Sequence, residues 1–362
     1  MTAGSVGVML ALSADARGEG RFSPPGARTE PQTGPFRVYM SPSGADNNSG
    51  LSPEEPVQSL ARAQEVLQAA APTTDVEVRI EQGVYIAPPT TWTFLVPGHT
   101  VTFLPIDYAY GAGADDIAGR PVFRGDGSSG FWLSAELPEG HPGGDAGLRF
   151  YYLQVDQYDL GGLKLDGGVV EVDGMQRPAT EGHNNNVIVG MYFTRLGSRW
   201  AGTEHGFGGV DLVNSRNNLI VDNHFVRLEN TGTGKGLMHG VYLAHHSMEN
   251  TVRDNRFEMI SGDPIRTRND SNDNEVFHNA FQRTGEIAHF SDWFCDTECT
   301  QGNLRPRECA SHGNVFRENE VESGYSGSEI SQWHVAPGDL EYAGGTGCSN
   351  DDQPRVQTYD NR

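Results

Sequence analysis

Lysine is almost missing from this sequence: Lys164 and Lys235 are the only two in 362 residues. Nearly all positive charge is arginine, and 48 acidic residues outnumber 26 basic ones, giving a formal net charge of -22. That balance excludes general nucleic-acid binding, which needs a basic footprint, and a polybasic membrane patch. No apolar run approaches the ~20 residues that span a bilayer, so no membrane association is expected. Hydrophobic residues are 36% and charged residues 20%, both low for a globular protein. No GxSxG, P-loop, HExxH or GxGxxG match worth defending is found either. What is plentiful is glycine, whose 46 residues are nearly twice ordinary usage. The composition suits a turn-rich β protein, and apolar clusters recurring along the chain exclude disorder.

Cysteine is also scarce, and all of it lies late: Cys295, Cys299, Cys309 and Cys348. The spacing between Cys295 and Cys299 is not CxxC, and Cys309 has only His312 close by, so zinc is disfavoured. Two disulfides are expected, with all three pairings open, which places the protein outside the cytosol. The start agrees with this. An apolar run, Val6 to Leu12, precedes the small-residue site Ser13-Ala-Asp-Ala16, like the end of a secretory signal peptide. Gly18 to Gly34 then reads as a linker. We therefore expect a signal remnant and linker over 1–34 and one domain over 35–362, secreted and monomeric.

The most informative pattern is an internal repeat. Five segments align without gaps: Asn186-Val-Ile-Val-Gly-Met-Tyr-Phe193, Asn218-Leu-Ile-Val-Asp-Asn-His-Phe225, Asn250-Thr-Val-Arg-Asp-Asn-Arg-Phe257, Asn274-Glu-Val-Phe-His-Asn-Ala-Phe281 and Asn314-Val-Phe-Arg-Glu-Asn-Glu-Val321. Four carry a second Asn five residues on: Asn223, Asn255, Asn279 and Asn319. Such columns of like residues are what stacked coils of a parallel β-helix produce. Asn at a bend bonds its equivalents above and below and tolerates the left-handed conformation. Phe stacks in the core, and alternation marks half-buried strands. The leading Asn residues are spaced 32, 32, 24 and 40 apart. The third coil is thus minimal, and its neighbours carry loops at Ser198–Gly206, Asn230–Met238 and Trp293–Cys309.

Further strands are expected at 76–80, 101–104, 122–124, 148–155, 162–165, 210–214, 241–245, 265–269 and 287–291. Pro56 to Ala71 differs: Val57, Leu60, Ala63, Leu67 and Ala70 recur at helical spacing. An amphipathic helix there covers the open end of the solenoid. The tail after Trp333 lacks the repeat and is expected to cover the other end. The fold class is an all-β, single-stranded right-handed parallel β-helix with an N-terminal capping helix.

The opening Tyr39-Met-Ser-Pro-Ser-Gly-Ala-Asp-Asn-Asn-Ser-Gly50, the helix after Pro56 and Arg79-Ile-Glu-Gln-Gly-Val-Tyr85 resemble the start of secreted, pectate-lyase-like right-handed β-helix proteins common in actinobacteria. The resemblance spans roughly residues 36 to 335. It implies a fold shared by polysaccharide lyases, glycoside hydrolases, uronan epimerases and phage or adhesin fibres, and fold does not fix function.

The minimal coil between longer ones leaves a gap in the loop wall over Asp263-Pro-Ile-Arg-Thr-Arg-Asn-Asp270. Alternation turns Ile265 and Thr267 inward, so Arg266 and Arg268 face out. Tyr242, His239, His246 and Lys235 lie on the preceding coil, and His289, Asp292 and Trp293 on the following one, about 4.8 Å away per coil. Arg266 and Arg268 suit a substrate carboxylate. Neutralising a uronate carboxylate acidifies its α proton, and Lys235, Tyr242, His239 or His246 would act as base or acid. Asp211, Asp263, His289, Asp292 and Trp293 are candidate substrate-binding residues. The arginines would alternatively pair with Asp263 and Asp270 on a solvated face. Asn269-Asp-Ser-Asn-Asp-Asn274 is a candidate Ca2+ loop, but a turn-rich corner explains it equally, so no cofactor is firmly expected.

The expected activity is β-elimination of a uronate polysaccharide by a secreted lyase. The alternatives are a glycoside hydrolase pairing two of Asp211, Asp263 and Asp292, and a non-catalytic carbohydrate-binding or adhesion solenoid. The net charge weighs against a polyanionic substrate.

Overall fold

A computed structural model describes residues 34–109, 119–202, 204–295, 306–335, 348 and 354–362. The expected signal remnant and most of the linker lie outside these residues, as does Cys299. Residues 34–362 form one compact unit.

The coils wind as a right-handed parallel β-helix, the hand taken by crossovers between parallel strands. Among the described residues, each of eight complete coils contributes one strand to each of three parallel sheets, and sheet A gains one more strand at either end. Sheet A has ten strands, from Phe36–Met40 to Val356–Tyr359, and sheets B and C have eight each. Helix α1, Leu60–Ala70, covers the N-terminal end, burying Leu60, Ala63, Val66 and Leu67. It begins where Ser59 Oγ accepts the Arg62 N–H at 3.1 Å, an N-cap bond.

Two amide ladders fix the coil register. The first runs Asn186, Asn218, Asn250, Asn274, Asn314, each Nδ2 donating to the next Oδ1 at 2.7–3.0 Å. The second runs Asn223, Asn255, Asn279, Asn319, Asn361 at 2.9–3.1 Å. A serine ladder accompanies them: the N–H groups of Ser215, Ser247 and Ser271 each donate to the Oγ of the next coil at 3.2 Å. Inside, Phe193, Phe225, Phe257 and Phe281 stack with centroids 4.8–5.0 Å apart. Their rings fill the corner beside sheet C so tightly that a Cβ at Gly209 or Gly240 would sit 2.6 or 2.5 Å from Phe225 or Phe257.

The C-terminal tail departs from expectation. Strand Val356–Tyr359 pairs in register with Asn314–Arg317, and Asn361 extends the second ladder. The repeat therefore continues past Trp333. The segment expected as one strand over 148–155 divides into Leu148–Tyr151 and Gln154–Asp156, because Tyr152 turns the corner at φ 53°.

Asn255→Ala removes two donated and two accepted buried bonds. It should cost about 2–3 kcal/mol in urea unfolding. Arg256→Ala, on the solvent face with a side chain 61% exposed, should stay within about 0.5 kcal/mol.

Candidate functional site

The outer face of sheet C is bordered by loops at both of its corners. At its B–C corner stand the loop Ser198–Phe207 and the 3-10 turn Gly232–Leu237. At its C–A corner stand an antiparallel hairpin, Val169–Val172 with Met175–Pro178, and the segment Pro306–His312. The wall is locked together: Arg307 N–H donates to Gly174 O at 2.7 Å and Gln176 N–H to Arg307 O at 2.9 Å. Cys309 is disulfide-bonded to Cys348, and Cys295 is also in a disulfide.

In-register pairing lays one outward side chain per coil along this face: Ser134, Lys164, Asp211, Tyr242, Arg266 and Ser291. A second row, two residues further along, holds Asp166, Val213, Ala244, Arg268 and Trp293. Arg266, Arg268, Tyr242, Asp211 and Trp293 are thus brought together as expected. Lys164 and Asp166 join them from an earlier coil.

The expectation that the arginines stand free for a substrate carboxylate is corrected. Arg266 donates from Nη2 to Asp263 at 2.9 Å and from Nε to Ser291 Oγ at 2.6 Å. Arg268 grips Glu308 through Nε and Nη2 at 2.6–3.0 Å. Its Nη1 lies 3.3 Å from the Tyr242 hydroxyl, and its guanidinium 4.6 Å from the Trp293 ring centroid. A buried guanidinium without such a partner is costly, so the fold supplies one to each. The partner of Arg268 is Glu308 and not Asp270.

Other candidates are also taken by the fold. Asp263 accepts the N–H groups of Glu286, Ile287 and Ala288 on one oxygen at 2.9–3.1 Å. Burial alone would raise its pKa, but Arg266 and these donors outweigh that and lower it. Asp292 points inward: it is in register with Thr267, whose hydroxyl donates to it at 2.7 Å, and Arg355 pairs its other oxygen. His289 follows Gly240 and Pro264 in the inward row and packs on Phe281, its Nδ1 3.2 Å from Thr284 Oγ1. His246 braces the wall, its Nε2 3.1 Å from Gln176 O, and burial pushes its pKa to about 4. Lys235 sits on the rim, 3.0 Å from Glu286. The candidate Ca2+ loop is a stacking corner: Asn269 and Asn272 side-chain oxygens accept the N–H groups of Cys309 and His312.

Two groups keep chemical freedom. Asp211 is 5% exposed, and its Oδ1 has no hydrogen-bond partner. Burial raises its pKa to about 7, against the pull of Lys164. Lys164 itself donates to Asp166 at 2.8 Å, and Gly168 N–H binds the other Asp166 oxygen at 2.8 Å. The second group is His239. Its Nδ1 lies 2.7 Å from the Asp263 carbonyl oxygen, which only accepts, so Nδ1 carries the hydrogen and Nε2 the lone pair. Burial and then Arg266 depress its pKa to about 3, so it is neutral.

Sequence reasoning missed Lys164, Asp166 and Glu308. A signal for the first two exists: Gly161-Gly-Leu-Lys-Leu165, Gly208-Gly-Val-Asp-Leu212 and His239-Gly-Val-Tyr-Leu243 repeat one pattern and align Lys164 with Asp211 and Tyr242. Glu308 lies in a loop with no repeat, and no local pattern marks it.

The sequence matches no protein-family model and no curated protein. Among solved structures it is similar to a rhamnogalacturonan lyase, at 15% identity and TM-score 0.35, covering 86% of this chain and 89% of that one. It is also similar to an alginate lyase from Paenibacillus sp. str. FPU-7, at 14% and 0.34 over 76% and 96%. A third is the Dettilon tailspike protein, at 10% and 0.30 over 83% and 68%. At these identities the likeness is one of fold.

Glu308→Gln should lower the melting temperature by several degrees, reflecting about 3 kcal/mol for breaking a buried pair. Lys235→Ala, which breaks an exposed pair, should cost under about 1 kcal/mol. A second expectation concerns pH. A carboxyl whose folded pKa is raised carries no penalty below its unfolded value near 4, and a growing one up to its folded value of about 7. Asp211→Asn should therefore melt above wild type at pH 8 and lose that advantage at pH 4, read by thermal denaturation across the range.

Proposed function

We propose that the protein is a secreted, polysaccharide-cleaving enzyme that works on the outer face of sheet C, with Asp211 delivering the proton to the leaving glycosidic oxygen. One observation carries this reading: a carboxyl on the outer face of sheet C, 5% exposed and with one oxygen unpartnered, whose pKa burial raises to about 7. A buried polar atom left unpaired is costly, and a pKa matched to neutral pH is what a general acid needs.

Hydrolysis fits the neighbouring groups best. Asp166, ion-paired with Lys164, is a diagonal neighbour of Asp211 across adjacent strands. Asp211, whose pKa burial raises to about 7, takes the acid role in this reading and leaves Asp166 as the candidate base. Asp166 would activate a water, and Lys164, aligned with Asp211, would steady the charge. The face runs across successive coils, a length that suits a polymer. The disulfides support export to an oxidising compartment.

A second reading, β-elimination, is favoured by His239. Its neutral imidazole presents a lone pair beside Tyr242, whose ring centroid is 5.0 Å away, and near Arg266. That is a base, an acid and a cation on adjacent coils. It weakens because both arginines already hold protein carboxylates.

The test is a panel of neutral and uronate polysaccharides followed by reducing-end release and by ultraviolet absorbance of unsaturated uronates. The hydrolytic reading expects reducing ends without that absorbance, lost at least 100-fold in Asp211→Asn and falling as pH rises through about 7. Absorbance with intact activity in Asp211→Asn would favour elimination. Silence on the whole panel would favour a binding role.

A further inference from the structure

The geometry points to an uncharged glycan as the occupant of the sheet C face, because Lys164, Arg266, Arg268 and Lys235 are each already matched by a carboxylate of the protein itself. This deepens, and rests on, the reading of sheet C as the glycan site. The matching can be followed along the face. Lys164 pairs with Asp166 at 2.8 Å, Arg266 with Asp263 at 2.9 Å, and Arg268 with Glu308 at 2.6 Å. On the rim Lys235 pairs with Glu286 at 3.0 Å. Asp263 and Glu308 are not surface partners that swing aside. Their side chains are 1% and 2% exposed. Each also accepts backbone N–H groups, Asp263 from residues 286–288 and Glu308 from Cys295 at 2.9 Å.

A uronate chain binding here would bring one carboxylate per acidic sugar into a site with no spare cation among these four. It would have to displace a buried carboxylate from its guanidinium, which leaves that carboxylate stranded. The net charge of -22 adds a repulsive long-range field. What the face does offer is neutral: the Tyr242 hydroxyl, the Asp211 carboxyl below its pKa of about 7, the lone pair of His239 and the indole of Trp293. Hydroxyl-rich sugars are recognised by such mixed donors and acceptors beside a flat ring.

The experiment separates binding from catalysis. Asp211→Asn protein would be titrated calorimetrically with xylose-, glucose- and galactose-based oligosaccharides, and with oligogalacturonate and oligoalginate, at low and high salt. At least one neutral oligosaccharide should bind tenfold or more tighter than either uronate, with an affinity that salt leaves unchanged. Tighter uronate binding that weakens in high salt would overturn the inference, as would no measurable binding to any probe. Neutral binding by Asp211→Asn alongside wild-type protein that cleaves nothing would sink the catalytic reading and leave this one standing.

Discussion

The structure depends on like side chains stacking at one coil per step. An asparagine amide has a donor and an acceptor on opposite edges, so each rung bonds the rung before it and the rung after it. A slip of one residue would break both amide ladders and turn the phenylalanine column out of the core. Register is therefore fixed at the corners flanking sheet A. Sheet C inherits that register, although its own outward residues differ from coil to coil. Lys164, Asp211, Tyr242 and Arg266 fall into one row because asparagines and phenylalanines elsewhere on each coil hold the coils in step.

A rigid row of charged groups creates a problem of compensation. Outward side chains on a parallel sheet are partly desolvated by their neighbours, and unpaired charges there destabilise the fold. The protein meets this with carboxylates brought in from loops: Asp263 from the B–C corner and Glu308 from the disulfide-bearing segment. Asp211 is handled differently. No donor meets its Oδ1, and burial instead raises its pKa to about 7.

Much of the fold was legible in the sequence because solenoid physics is periodic. The asparagine columns, the phenylalanine core and the capping helix each leave a local pattern, and the structure places them as that pattern implies. Asn361 escapes the pattern because its segment carries Val356 where the repeat has its leading Asn. The site was half legible. Alternation correctly turned Arg266 and Arg268 outward. The same alternation, carried one coil further, should have turned Asp292 inward with Thr267. Whether an outward arginine is free or paired is not a local property. Glu308 is 40 residues from Arg268, and nothing in its own neighbourhood announces the contact. Lys164 was passed over because its coil lacks the asparagine repeat, even though its Gly-Gly strand start repeats.

The central claim is that the outer face of sheet C holds a carboxyl whose pKa burial raises to about 7. Difference infrared spectroscopy between wild type and Asp211→Asn, followed through a pH titration, reads that proton directly. A protonated carboxyl band present at pH 5 and lost around pH 7 is the expected result. A carboxylate already ionised at pH 5 would contradict the account.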